Sequence, residues 1–287
     1  MNRAERMPLL PKGRQVALQL AYDGTHFHGY QVQPRQRTVE SELKAALARF
    51  LGGAPDLICA GRTDAGVHAY AQLVAFFTES PIPIERYAAA LNRILPGDIR
   101  VLQAFEVAED FSARFSAKAR HYRYLLAPLS QAPTLRHSAW QTPFAVPFDA
   151  LAEAWHCVRG EHNFKAFCKS GSYRNNFVIN VRWTHCWQYE QYIVLEILAE
   201  SFLYNMVRSL VGSAVDVARG RYPLSDIAQA LNTQSRSYVH LTAPPEGLYL
   251  YHVIYPDIPQ RLIIEGVHDW PVPVGNIPDR FEKVAIL

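Results

Sequence analysis

The chain has 287 residues, 49% of them hydrophobic, which is enough for about two domains with packed cores and excludes a disordered chain. Its formal charge is only +3 and its pI about 8.6, below the value of about 9 that marks a nucleic-acid binder on composition alone, so a nucleic-acid partner is permitted but not demanded. Cys59, Cys157, Cys168 and Cys186 form no CxxC pair and no disulfide framework, which points to a reducing compartment and to thiols that serve as small buried hydrophobes. His156, Cys157, His162, Cys168, His185 and Cys186 lack the close ligand pairs of a zinc site, so no metal is expected. The N-terminus has no apolar h-region, and no apolar run approaches the roughly 20 residues of a membrane span, so the expectation is a cytoplasmic protein.

Residues 1–14, with Pro8, Pro11 and Gly13, read as a loose leader. Gln15–Tyr22 alternates as a strand, and Asp23–Gln36 is a polar loop. Thr38 can cap a helix whose apolar positions are Val39, Leu43, Ala46, Leu47 and Phe50, ending at Gly52-Gly53. Short strands near Leu57–Ala60 and Leu73–Thr78 flank a glycine-rich loop; a helix over 84–95 and a strand from Ile99 to Val107 follow.

The second half gives the same order: a strand over His121–Ala127, a proline-bearing connection, a helix over 149–158, strands over 177–188 and 192–200, a long helix over 203–219, a short one over 225–231, and a strand over 249–255. The order β-α-β-β-α-β, twice, predicts an α+β protein of two ferredoxin-like (split βαβ) domains whose antiparallel sheets meet at a central cleft. The boundaries expected are 15–111 for the N-terminal domain, 112–257 for the C-terminal domain and 258–287 for an extended tail.

Within that plan, Cys59-Ala-Gly-Arg-Thr-Asp-Ala-Gly-Val-His-Ala-Tyr70 concentrates chemistry. Gly61 and Gly66 permit a tight turn, and Asp64 stands two residues from the cation Arg62. Asp64 either bonds loop backbone, as turn aspartates do, or is a reactive carboxylate on one wall of the cleft. For the other wall, Arg120-His-Tyr-Arg-Tyr124 interleaves aromatics and cations suited to base stacking and phosphate contact, or else is an edge strand with a charged outer face. Arg208 falls close to the apolar stripe of Leu203, Met206, Val207, Val211 and Ala214, where a cation needs an acidic or phosphate partner or must snorkel outward. Ala243-Pro-Pro-Glu-Gly-Leu248 reads as a rigid turn that delivers Leu248 into the last strand. The loop Tyr22–Gln33 is neither GxGxxG nor a P-loop, which argues against a nucleotide cofactor. Asp64 and His68 invite a hydrolase reading.

The set Tyr22-Asp-Gly-Thr-His-Phe-His-Gly-Tyr-Gln31, Ala60-Gly-Arg-Thr-Asp-Ala-Gly-Val-His-Ala69, Leu95-Pro-Gly-Asp-Ile99, Phe111-Ser-Ala-Arg-Phe115, Tyr122-Arg-Tyr124, Asn205-Met-Val-Arg208 and Ala243-Pro-Pro-Glu-Gly-Leu248 resembles the tRNA pseudouridine synthase A family. The resemblance runs from Gln15 to Pro256. It implies isomerisation of uridine to pseudouridine at positions 38, 39 and 40 of the tRNA anticodon stem-loop, by a cytoplasmic homodimer without cofactor or metal. Asp64 matches the family's catalytic aspartate. Tyr122 matches the tyrosine that stacks on the target base and is a candidate for taking the C5 proton. Arg62 matches the arginine that pairs with the aspartate and helps fill the space of the flipped base; Arg208 and Leu248 match pocket-lining residues. Tyr30 stands where the family has tryptophan, altering a packing or RNA-contact ring. A non-catalytic RNA-binding protein on the same fold is the alternative.

Overall fold

A computed structural model describes residues 13–129, 136–169, 171, 175–256 and 258. The expected leader up to residue 12, and the tail apart from residue 258, lie outside that set. The elements in order are β1 (Arg14–Tyr22), α1 (Val39–Leu51), β2 (Ile58–Cys59), β3 (His68–Thr78), α2 (Glu85–Leu91), β4 (Ile99–Val107), β5 (Ala119–Pro128), β6 (Trp140–Thr142), α3 (Phe148–His156), β7 (Gly160–Asn163), β8 (Val178–Tyr189), β9 (Tyr192–Ala199), α4 (Met206–Ala218), α5 (Ser225–Thr233) and β10 (Leu248–Ile254).

Local chemistry accounts for the best-defined element. Thr38 takes the extended conformation that starts α1, its hydroxyl accepts the Ser41 amide, and Ser41 reciprocates, a capping box that satisfies two otherwise orphaned donors. Val39, Leu43, Ala46 and Leu47 are the buried face of this helix, and Gly52, at φ 81°, closes it in the left-handed conformation that only glycine adopts cheaply.

The strands form one sheet in the order β4-β1-β3-β10-β5-β9-β8-β7, with β2 paired to β3 and β6 to β5. Counting the four strands of each β-α-β-β-α-β unit, both halves have the order fourth-first-third-second, as the split βαβ pattern requires: β4-β1-β3-β2 and β10-β5-β9-β8. Pairing within each unit is antiparallel. The two units join edge to edge, where β10 runs parallel to the beginning of β3 with Tyr249 opposite His68 and Leu250 opposite Ala69. The small strands β6 and β7 were not anticipated from the sequence; each has only three or four residues, too few for a period to register.

The helices lie on one face of the sheet. Their apolar residues share a core with Tyr122, Tyr124 and Leu126 of β5, while Leu125 and Ala127, pointing the other way, belong to a small second cluster with Ala139, Tyr192, Val194 and Tyr249 that contains no helical residue. Placing β5 between β10 and β9 corrects the edge-strand reading of Arg120–Tyr124: every residue of that run is buried. Arg123 does not face phosphate. It donates from Nε and Nη2 to Glu196 Oε1 at 2.9 and 2.6 Å and stacks over the Tyr251 ring at 3.9 Å. No helix among the described residues is long and apolar enough to cross a membrane. Of the four thiols, Cys168 and Cys186 are buried as expected, whereas Cys157 is exposed.

Candidate active site

The glycine-rich loop between β2 and β3 is bound to its surroundings along most of its length. The Ala60 amide donates to Leu73 O at 2.8 Å, Gln72 Nε2 donates to Gly61 O at 2.6 Å, and the Tyr30 amide donates to Thr63 O at 3.0 Å. Tyr22 Oη and Thr63 Oγ1 are 2.8 Å apart, and the Gly66 amide donates to Phe27 O at 3.2 Å. Gly66, at φ 78°, lies against the turn before β10; a Cβ there would sit 2.8 Å from Pro245 Cγ, so the turn packs directly on the loop. The motif Ala243–Leu248 therefore buttresses the loop besides delivering Leu248. Tyr30, only 2% exposed, serves packing behind the loop and not RNA contact.

Asp64 is held in this frame with its side chain 23% exposed, facing α4. Arg208, on the first turn of α4, supplies its cation: Nη1 lies 3.4 Å from Asp64 Oδ2 and the same distance from Asn205 Oδ1, while Nε donates to Ala243 O at 2.8 Å. Three acceptors thus orient one guanidinium, and the partner inferred from its helical phase is Asp64. Burial raises the Asp64 carboxyl above its ordinary value, and the charges of Arg208 and, more weakly, Lys169 oppose this.

Arg62 does not make the expected pair with Asp64. It is exposed and forms no hydrogen bond or ion pair among the described residues. Two residues apart in sequence, the two side chains have different surroundings: Arg62 is exposed, while Asp64 is paired with Arg208. The hydrolase reading also loses its base, since His68 opens β3 instead of lying in the loop; its Nδ1 sits 3.0 Å from the Gly24 amide and 3.1 Å from Asp23 Oδ1, and its ring stacks on Tyr249.

Tyr122 reaches the same place from β5. Its hydroxyl lies 3.9 Å from where a Gly61 Cβ would be, and its ring meets Phe202 edge-on at 4.9 Å and 81°. Burial, reinforced by Asp64, pushes its phenol well above the ordinary value, even though the Arg120 guanidinium works the other way. The resting side chain is a neutral phenol. Leu248 opens β10 opposite Tyr124 and Leu250 lies opposite Tyr122, which puts Leu248 on the Tyr122 face of the sheet at 5% exposure. The fold therefore brings together Asp64, Arg208, Tyr122 and Leu248, and leaves Arg62 at the rim.

Lys169, Asn205, Phe202 and the Ala243 carbonyl were not singled out from the sequence. Lys169 and the carbonyl carry no residue-type signal; Phe202 directly precedes the apolar stripe that drew attention to Arg208, and Asn205 lies within it, named only as the start of the Asn205–Arg208 motif. Lys169 is placed by its amide, which donates to Tyr204 O at 2.9 Å, and its ammonium lies over the Tyr204 ring at 5.1 Å.

A family model described as tRNA pseudouridine synthase matches residues 19–116 and 155–256. A tRNA pseudouridine synthase A of Syntrophomonas wolfei subsp. wolfei is 41% identical over 245 residues, covering 84% of this chain and 98% of the relative. Its counterpart in Exiguobacterium sp. is 38% identical over 242 residues, with 84% and 98% coverage. A third, from Thermoanaerobacter sp., is 38% identical over 243 residues and is covered in full, against 84% of this chain. On the family match and these full-length likenesses, the chain belongs to the tRNA pseudouridine synthase A family of isomerases.

Proposed function

We propose that this enzyme isomerises uridine to pseudouridine at positions 38, 39 and 40 of the tRNA anticodon stem-loop, with Asp64 as the nucleophile. The observation that carries this reading is the placement of a partly buried carboxylate, oriented by Arg208, beside the buried ring of Tyr122. The reaction breaks the N1–C1′ bond, turns the uracil and joins C5 to C1′; the C5 proton leaves and N1 gains one, so no oxidant and no water is consumed. Asp64 attacks either C1′ of the ribose or C6 of the uracil. Arg208 keeps its carboxylate available against the burial that favours the acid, and burial keeps water from a detached base.

A uridine in an anticodon arm must leave its stack, at a cost of a few kcal/mol. Stacking on Tyr122 returns about 1–3 kcal/mol. Arg62, exposed at the rim, is free to enter the duplex and occupy the space of the flipped base. The N-terminal (15–111) and C-terminal (112–257) domains form the two walls, two copies of the chain present a shared basic groove, and the enzyme acts in the cytoplasm. Acceptance of three adjacent positions implies recognition by RNA shape and phosphate contact more than by base edges.

The test uses tRNA carrying 5-tritiated uridine. Wild type should release tritium to water while the RNA chain stays intact, and Asp64→Ala should bind the tRNA and release none. Tritium release by purified Asp64→Ala at the wild-type rate would refute the assignment.

A further inference from the structure

Arg120 occupies the second position of β5, two residues before Tyr122 and on the same face of the strand, and it is only 9% exposed. The chemistry proposed above does not use it. Its guanidinium nevertheless donates to carbonyls of three separate segments. Nε and Nη2 reach Ala60 O at 3.3 and 3.0 Å, Nη1 reaches Glu200 O, and Nη2 also reaches Arg114 O.

Two of the acceptors adjoin the site and the third ties it to the end of β10. Ala60 directly precedes the Gly61–Asp64 run. Glu200 lies two residues before Phe202, whose ring meets Tyr122 edge-on. Arg114 belongs to the turn after β4, which is itself tied to the end of β10: Tyr255 Oη donates to Ala113 O, and the Lys118 amide donates to Ile254 O at 2.8 Å. A buried guanidinium is a costly way to fill space, because an apolar side chain of similar volume does so without desolvating a charge. What it offers is a planar fork of five donors in fixed directions, able to hold several carbonyls at set separations.

We propose that Arg120 is a positioning residue: by clasping Ala60, Glu200 and Arg114 it fixes the separation between the Asp64 loop and the Tyr122–Phe202 pair. This rests on the reading of Asp64 as the nucleophile and Tyr122 as the stacking residue. Displacing a reacting group by about 1 Å costs on the order of 100-fold in rate, so losing part of the clasp should act on turnover more than on binding.

Arg120→Lys and Arg120→Gln in the full-length protein test this. Lysine keeps the charge on a single nitrogen and glutamine keeps one amide, so neither spans all three carbonyls. With 5-tritiated tRNA at a temperature well below each variant's Tm, the expectation is a KM and a tRNA Kd within about 3-fold of wild type and a kcat lower by about 10- to 100-fold per folded molecule. A purely structural role predicts instead a lower Tm with normal kcat per folded molecule. That result, in whichever variant folds, overturns the proposal, as does a loss confined to KM. Asp64→Ala run in parallel separates the two failures: an active Asp64→Ala refutes the nucleophile, whereas an inactive Asp64→Ala beside a fully active Arg120→Lys refutes only the clasp.

Discussion

Arg208 Nη1 lies 3.4 Å from Asp64 Oδ2, across 144 residues of sequence. Asp64 comes from the first half of the chain and its cation from the second, so the pair exists only when the two halves pack together. Burial moves the carboxyl up and the Arg208 charge is the main force against it. Arg208→Met should therefore raise the Asp64 pKa further, leaving less carboxylate at any given pH. The acidic limb of the kcat/KM profile should shift to higher pH by about 1–3 units, the usual effect of an adjacent cation on a carboxylate. A pH–rate series on tritium release checks this, and an unmoved limb would show that Asp64 ionisation does not set it.

Tyr122 is a neutral phenol at rest, since burial pushes its ionisation well up. It can take the C5 proton only once its own has been passed on. Tyr122→Phe preserves the edge-on contact with Phe202 and should keep tRNA Kd within about 3-fold while lowering kcat by about 100-fold or more, the usual share of a proton-transferring group. Filter binding and single-turnover kinetics on the same preparation measure both. Undiminished turnover would confine Tyr122 to stacking.

Gly66→Ala places a methyl group 2.8 Å from Pro245 Cγ at a φ of 78°. The left-handed backbone alone costs an alanine about 1–2 kcal/mol, and the proline ring must retreat as well. The expected outcome is a lower Tm together with a drop in kcat, because the displaced loop carries Asp64. Thermal melting and initial rates on the folded variant test it.

On the helix-free face of the sheet, Glu196 binds Arg123 and accepts from Trp187 Nε1 at 3.0 Å. Burial favours its acid form, but the His185 hydrogen bond and the His121 and Arg123 charges outweigh that and hold the carboxyl down at about 2. Burial keeps His121 itself neutral down to about 3, so at neutral pH Arg123 is the standing charge. A depressed carboxyl stabilises the fold above its unfolded value of 4.5, and that contribution is lost as the pH falls from 4.5 through about 2. Glu196→Gln strands Arg123 and should cost about 3–5 kcal/mol at pH 7, with a flatter stability profile over the acid window. Urea melts between pH 7 and pH 2 give the result; turnover per folded molecule at pH 7 should stay normal.

What the sequence revealed follows the range of the forces involved. The Thr38 start of α1 and its stop at Gly52 were legible because capping is decided within four residues. The order of elements was legible from period and breakers, and with it the split βαβ arrangement of each half. The partner of Arg208 was half legible: its helical phase called for an anionic partner or an outward-snorkelling side chain and gave no address for either. The pairing of Arg62 with Asp64 misled because closeness along a glycine-rich loop says little about direction. β3 starts five residues before the strand expected at Leu73 because His68, Ala69 and Tyr70 look like loop, and they become strand only by pairing with β1 and β10. That last pairing is non-local, and no pattern within either stretch announces it.

The edge joint between β3 and β10 also has a consequence for how the enzyme is born. β10 is the fourth strand of the second unit in sequence, yet in space it lies between β3 and β5, between the loop that carries Asp64 and the strand that carries Tyr122. During synthesis the first unit can close its own strands early, but Asp64 and Tyr122 stay on separate pieces until Leu248–Ile254 has been made and docked between them. On the proposed reading, a nascent chain that has not yet made Leu248–Ile254 lacks the strand that seats the Asp64 loop beside Tyr122, so a tRNA it meets finds no assembled site.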